Sequence, residues 1–145
     1  SELWDLLNHG QMHPTEDAYV TELERLIFHT LGREEALRYV TCRESEKLYT
    51  ITEGQVEQLR QGLFCAIVSE KRTLSLVRSI YRTNTYLLSP GSAQAFGGLQ
   101  DYRAKTNETG PALILTEQGP LTAIDTVSLS TGISAEELRK RVRTA

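Results

Sequence analysis

Arg139, Lys140 and Arg143 stand close together near the end of the chain, and on a helical wheel they share one face with Glu136. Cationic side chains gathered on one helical face can reach guanine edges or phosphates in a major groove, so the chemistry they suggest is recognition of double-stranded DNA. Ser134 precedes Glu137 by three residues, the spacing of a capping box, in which hydroxyl and carboxylate satisfy N–H groups that the first turn leaves unpaired. The expected DNA-contacting set is Ser134, Glu136, Arg139, Lys140 and Arg143, with Ala135, Leu138 and Val142 turned inward.

Such a helix needs a partner to hold it. Ile124, Val127 and Leu129 recur at near-helical spacing before Thr131 and Gly132 break the pattern, which predicts a helix-turn-helix over residues 120–145. Ser128 is the small residue at the crossing, Gly132 supplies the positive φ of the turn, and Val127, Ile133, Leu138 and Val142 clamp the pair. A purely structural αα-corner has the same signature, so that alternative stays open.

Four other constellations carry possible chemistry. His9 and His13 have the spacing of two ligands on a helix, with Glu16 or Asp17 to complete a metal set, but Gly10 and Pro14 interrupt that helix. Cys65 would need His29 beside it and a cationic setting to act as a nucleophile; a core thiol is the simpler reading. Ser92 to Gly98 is Gly-rich but lacks the Gly-Lys-Ser/Thr ending of a phosphate loop. Tyr81, Tyr86 and Tyr102 among Arg78, Arg82, Arg103 and Lys105 could follow a phosphate backbone, or simply be packing tyrosines beside surface arginines. No metal and no cofactor is expected, and the chain does not read as an enzyme.

Composition bounds these readings. A length of 145 residues fits one domain with a single core, and 39% hydrophobic with 24% charged residues is the balance of a folded globular chain. The net charge of -3 gives no global attraction to nucleic acid, so DNA contact must be local. Acidic residues gather earlier, between Glu16 and Glu46, where they offer a surface for a basic protein partner or plain solvated helix exteriors. Cys42 and Cys65 are too few for a disulfide framework and lack zinc-site spacing. Neither a membrane-spanning run nor a signal peptide is visible, which suggests a cytoplasmic protein with no membrane association.

The remaining elements follow from periodicity and caps. Leu3, Trp4, Leu6 and Leu7 predict a short opening helix anchored by Trp4. Thr15 should cap a helix whose apolar face is Val20, Leu23, Ile27 and Leu31, ended by Gly32. The next, over residues 33–42, turns Ala36, Leu37 and Val40 inward. Thr52 with Gln55 forms a further capping box, and Val56 and Leu59 face the core until Gly62. Residues 63–68 are an uninterrupted apolar run that reads as helix rather than strand, and another helix carries Leu74, Val77 and Tyr81. From residue 83 to 119 the pattern loosens, with Ser89, Pro90 and Gly91 read as a turn and Gly97 and Gly98 as a break.

Two stretches resemble the flagellar master transcriptional activators, a two-protein helical complex whose divergent relatives serve conjugative elements. Residues 51–65, with Thr52, Gln55 and Leu59 leading to Leu63 and Cys65, are similar to the smaller subunit; residues 119–141, from Gly119 through Leu138 to Arg141, are similar to the helix-turn-helix near the start of the larger. The larger subunit's zinc-binding cysteine cluster is absent, and the two halves stand in reversed order. The resemblance implies a DNA-binding activator.

The expectation is therefore a mainly α, compact multi-helix single domain made of three stretches: helical over residues 1–62, mixed over 63–119, and the helix-turn-helix over 120–145. Room is left for a short β-hairpin or strand pair among residues 63–68, 86–89 and 112–115, which would make the class α+β. The expected function is transcriptional regulation through double-stranded DNA, as a homodimer or with a heteromeric partner subunit. The alternative is a non-enzymatic adaptor or chaperone that binds protein through the acidic helices.

Overall fold

The computed structural model describes residues 2–14, 20–115 and 119–143, without the side chains of Val20, Thr21 and Arg143. Thr15, Glu16 and Asp17, expected to cap or open the second helix, lie outside the described residues. The described architecture is mainly α: eight α-helices, one 3-10 turn and a two-stranded antiparallel sheet. The chain divides into two compact units, Ser1–Ile67 and Val68–Ala145. Buried apolar side chains correspondingly gather in two clusters, one in each unit.

In the first unit, α1 (Glu2–His9), α2 (Val20–Leu31), α3 (Arg33–Glu44) and α4 (Glu53–Gly62) surround Leu6, Leu7, Ile27, Tyr39, Tyr49 and Leu59. Trp4, expected as the anchor of α1, is only half-buried; Leu6 and Leu7 fill the core, and the Trp4 ring lies edge-on to His9 with centroids 5.3 Å apart. In α3 the inward residues are Ala36 and Tyr39, one turn apart, with Val40 beside the core. Leu37, expected inside, is 56% exposed. Placing the larger Tyr39 at the centre rotates Leu37 to solvent.

The strand pair is not where the sequence places it. β1 (Gln11–Met12) and β2 (Tyr49–Thr50) pair antiparallel, with Gln11 opposite Thr50 and Met12 opposite Tyr49. Their register is held by burial of Met12 and Tyr49 on one face, and Ile51 N donates to Gly10 O at 2.8 Å just beyond. Arg60 reaches back to the end of α1, donating Nε and Nη2 to Leu7 O at 3.0 and 2.6 Å. The opening residues of the unit are thus secured by residues 49–60. The Thr52 capping box forms as expected: Gln55 N donates to Thr52 Oγ1 at 3.3 Å, and Thr52 N to Gln55 Oε1 at 2.8 Å. Residues 63–68, read as helix, belong to no helix or strand.

In the second unit, α5 (Glu70–Asn84) packs on α6 (Pro90–Thr106) and on α7 (Ile124–Thr131), which a 3-10 turn (Pro120–Ala123) introduces and α8 (Ala135–Arg143) follows. Its core is Val77, Ala93, Val127 and Leu138. The stretch read as turn and break is instead a helix of 17 residues. Ser89 is its N-cap, accepting from Ser92 N at 3.2 Å, with Pro90 at the first position, where a missing N–H costs nothing. Gly97 does not break α6 because its role is packing: a Cβ there would lie 3.0 Å from Val68 Cγ2 and 3.1 Å from Leu76 Cδ1. Residues 86–89 and 112–115 are also outside any strand.

Candidate functional site

The bend between α7 and α8 is built by short-range hydrogen bonds. Gly132 adopts φ 74°, and its N–H donates to Ser128 O at 2.8 Å, closing α7 with a left-handed cap. The Ser128 hydroxyl donates to Ile133 O at 2.6 Å, and Thr131 Oγ1 accepts from Ile133 N at 3.3 Å, so both small polar residues fasten the turn. Ser134 Oγ then accepts from Glu137 N at 3.3 Å, the side-chain half of the expected capping box. Arg78 in α5 donates Nε to Ser130 O at 2.7 Å and satisfies a carbonyl at the end of α7.

Burial follows the helical wheel on α8. Leu138 and Val127 are buried, with Ile124 and Ile133 packed beside them, whereas Leu129 points out with 70% of its surface exposed. Glu136, Arg139 and Lys140 are exposed on the outer face. Lys140 Nζ lies 3.0 Å from Glu136 Oε1, and Arg141 Nε donates to Glu137 Oε1 at 3.0 Å while its Nη1 donates to the Tyr81 hydroxyl. Exposed pairs of this kind are weak in energy but lower the positive potential of the face. Arg139 makes no ion pair with a described residue, and the side chain of Arg143 lies outside the described residues. Of the expected set, the structure brings Glu136, Arg139 and Lys140 together on one exposed face and uses Ser134 as a cap.

A polar cluster that sequence reasoning missed sits in the first unit. Arg38 Nη2 lies 2.7 Å from Glu35 Oε2 and its Nε 3.2 Å from each carboxylate oxygen; the guanidinium also donates to Thr50 O and stands 4.6 Å from the centre of the Tyr49 ring. The Tyr49 hydroxyl donates to Glu35 Oε2 at 3.0 Å, and Tyr39 meets the Tyr49 ring edge-on at 5.3 Å. The Arg38 hydrogen bond, with help from Tyr49, holds the Glu35 carboxyl below its ordinary range. Burial, reinforced by Glu35, raises the Tyr49 phenol, and burial pushes Tyr39 up to about 12. Both partners move away from neutrality, the opposite of what proton transfer near pH 7 needs, so the cluster is a clamp between α3 and β2. The Glu35–Arg38 spacing was a signal for the ion pair; that Tyr49 would be buried against it had none.

The remaining constellations do not assemble. Among the described residues no three His, Cys, Asp or Glu side chains converge as metal ligands. Cys42 and Cys65 are half-buried free thiols packed against the first core. Residues 92–98 lie inside α6 and form no loop. On the same helix Asp101 takes Arg72 Nη1 at 2.8 Å, which keeps its carboxyl low, while Arg72 Nη2 donates to Gly97 O at 3.1 Å. An open groove of about 490 Å³ is bordered by Glu70, Lys71, Leu74, Ser75 and Arg78 of α5. No helix among the described residues is long and apolar enough to cross a membrane.

No family model and no curated protein matches this sequence. Among solved structures it is similar to PLP-bound threonine synthase from Brucella melitensis, at 22% identity and a TM-score of 0.69 over 90% of this chain. The chain spans only 30% of the length of that structure. At this identity the likeness is one of fold.

Proposed function

We propose that this chain is a helical portion of a larger PLP-dependent enzyme with a threonine-synthase-like fold, furnishing packing surface to a body that holds the cofactor. The observation that carries it is the likeness of nine-tenths of the chain, across both units, to a share of a PLP-bound enzyme. This departs from the non-enzymatic expectation of the sequence. The lysines of the chain fit a packing role: PLP enzymes bind the cofactor as a Schiff base on a lysine, and Lys47, Lys71, Lys105 and Lys140 are all exposed, with Lys71 on an open groove. The described residues therefore do not fit a PLP site, and the cofactor's chemistry belongs to chain outside them. The test is borohydride reduction of the affinity-tagged chain recovered from its source cells, followed by peptide mass spectrometry. Pyridoxyl-lysine is expected on a polypeptide segment outside residues 1–145; recovery without any PLP-bearing segment refutes the reading.

A second reading is the DNA-binding helix-turn-helix, favoured by one local observation: the left-handed Gly132 bend and the Ser134 cap leave Arg139 and Lys140 exposed together. The resemblance to flagellar activators belongs to this reading. If both cations meet phosphates, Arg139→Ala with Lys140→Ala lowers the magnitude of the salt slope of binding by about 2 in a fluorescence anisotropy titration. An unchanged affinity and slope removes this face as a DNA contact.

A further inference from the structure

Lys71, Ser75, Arg78 and Arg82 recur along α5 at steps of four, three and four residues. At 3.6 residues per turn they fall within about 60° of one another and form one stripe about 16 Å long. All four are exposed. Lys71 and Arg82 make no hydrogen bond or ion pair with a described residue, and Arg78 uses only its Nε, on Ser130 O at 2.7 Å, so both its terminal nitrogens are free of described partners. On the other helices Arg38, Arg60, Lys140 and Arg141 each pair with a carboxylate three or four residues away. The stripe has no Asp or Glu at those spacings. Half-buried Leu74 lies beside it on the open groove, with Glu70 further round the same groove. The charge of the units agrees: the first holds twelve Asp or Glu against six Lys or Arg, a net -6, whereas the second, which carries the stripe, holds seven against ten, a net +3.

We propose that this stripe docks an acidic helix of a protein partner, laid along α5 with carboxylates over Lys71, Arg78 and Arg82 and an apolar side chain in the groove at Leu74. The proposal stands apart from both readings above. A partner helix has the same rise as α5, so acids seven and eleven residues beyond a first one meet all three cations at once. A small anion is too short to do so. A phosphate backbone gains nothing from Leu74 and is repelled by Glu70, and a long polyanion also meets the -6 unit carried on the same chain. A short acidic helix feels chiefly the charges within a Debye length, about 10 Å.

The experiment titrates the tagged polypeptide, purified from its source cells, into a fluorescein-labelled helical peptide, with anisotropy as the readout. The peptide carries glutamates spaced as the three cations are and a leucine between the first two. Its scrambled version and an oligonucleotide of equal charge should bind at least about fivefold more weakly. Lys71→Gln with Arg82→Gln removes two exposed ion pairs and should lower the affinity about fivefold, whereas Arg33→Gln with Lys47→Gln, exposed on the first unit, should leave it unchanged. Arg82→Glu should weaken binding of the glutamate peptide and restore it for a peptide with lysine at the facing position; if the paired variant loses helicity by circular dichroism, this exchange decides. Equal binding of the scrambled peptide, tighter binding of the oligonucleotide, indifference to the stripe substitutions, an equal response to the first-unit pair, or no binding at all overturns the inference.

Discussion

Gly97→Ala and Gly91→Ala make the same chemical change in the same helix and should move stability in opposite directions. Replacing Gly in a helix interior by Ala favours folding by about 1 kcal/mol, because the backbone has less freedom to lose. At Gly91 nothing lies within 4 Å of the new methyl, so a gain of about 0.5 kcal/mol is expected in this first turn. At Gly97 the methyl would sit 3.0 Å from Val68 Cγ2, 3.1 Å from Val68 Cγ1 and 3.1 Å from Leu76 Cδ1. Carbon contacts are best near 3.5–4.0 Å, and overpacking of a filled core costs about 1–3 kcal/mol. The cost exceeds the helix gain, giving a net loss of about 1 kcal/mol and a difference between the variants of about 1.5 kcal/mol. Urea titration followed by circular dichroism reads this as a midpoint separation of about 1 M. If Gly97→Ala is as stable as Gly91→Ala, the close approach of α6 to Val68 and Leu76 does not constrain the helix.

Three further outcomes follow from the local geometry. Glu35 has a folded-state pKa below its ordinary 4.5, mainly through Arg38, so its contribution is present above that value and is lost as pH falls through the lower folded one. Glu35→Gln should therefore flatten the loss of stability between about pH 5 and pH 2, measured by urea midpoints across that range. Thr52→Ala removes the side-chain half of the α4 capping box and should cost about 1 kcal/mol, whereas Thr52→Ser should cost far less in the same titration. Gly132→Ala forces a side chain into φ 74° and should destabilise the α7–α8 bend by about 1 kcal/mol although nothing crowds the new methyl; an unchanged midpoint would mean that the turn relaxes freely.

What could be read from the sequence was whatever is decided within one turn of chain. The Thr52 box, the Gly132 bend, the Ser134 cap and the outward Arg139 and Lys140 all depend on residues three or four apart, and all are present. α6 is hidden for a different reason: by sequence Gly97 reads as a breaker, although only the approach of Val68 and Leu76 explains a glycine there. The Ser89–Pro90 pair in fact marked a helix start. Likewise β1 and β2 are two residues each, too short for alternation to register, and their pairing depends on Tyr49 and Met12 sharing a core assembled from distant segments. Leu37 lost its inward place to Tyr39 through the same long-range packing.

The hold of Arg60 on Leu7 O, together with the pairing of Gln11 with Thr50, sets a schedule for this polypeptide on the ribosome. The end of α1 offers a carbonyl whose donor is translated 53 positions later, so that bond cannot close until most of the unit is made. At typical elongation rates that delay is several seconds, far longer than helix formation itself. Closure of this contact thus depends on the arrival of α4, and a stall in translation before residue 60 would leave α1 without its clasp.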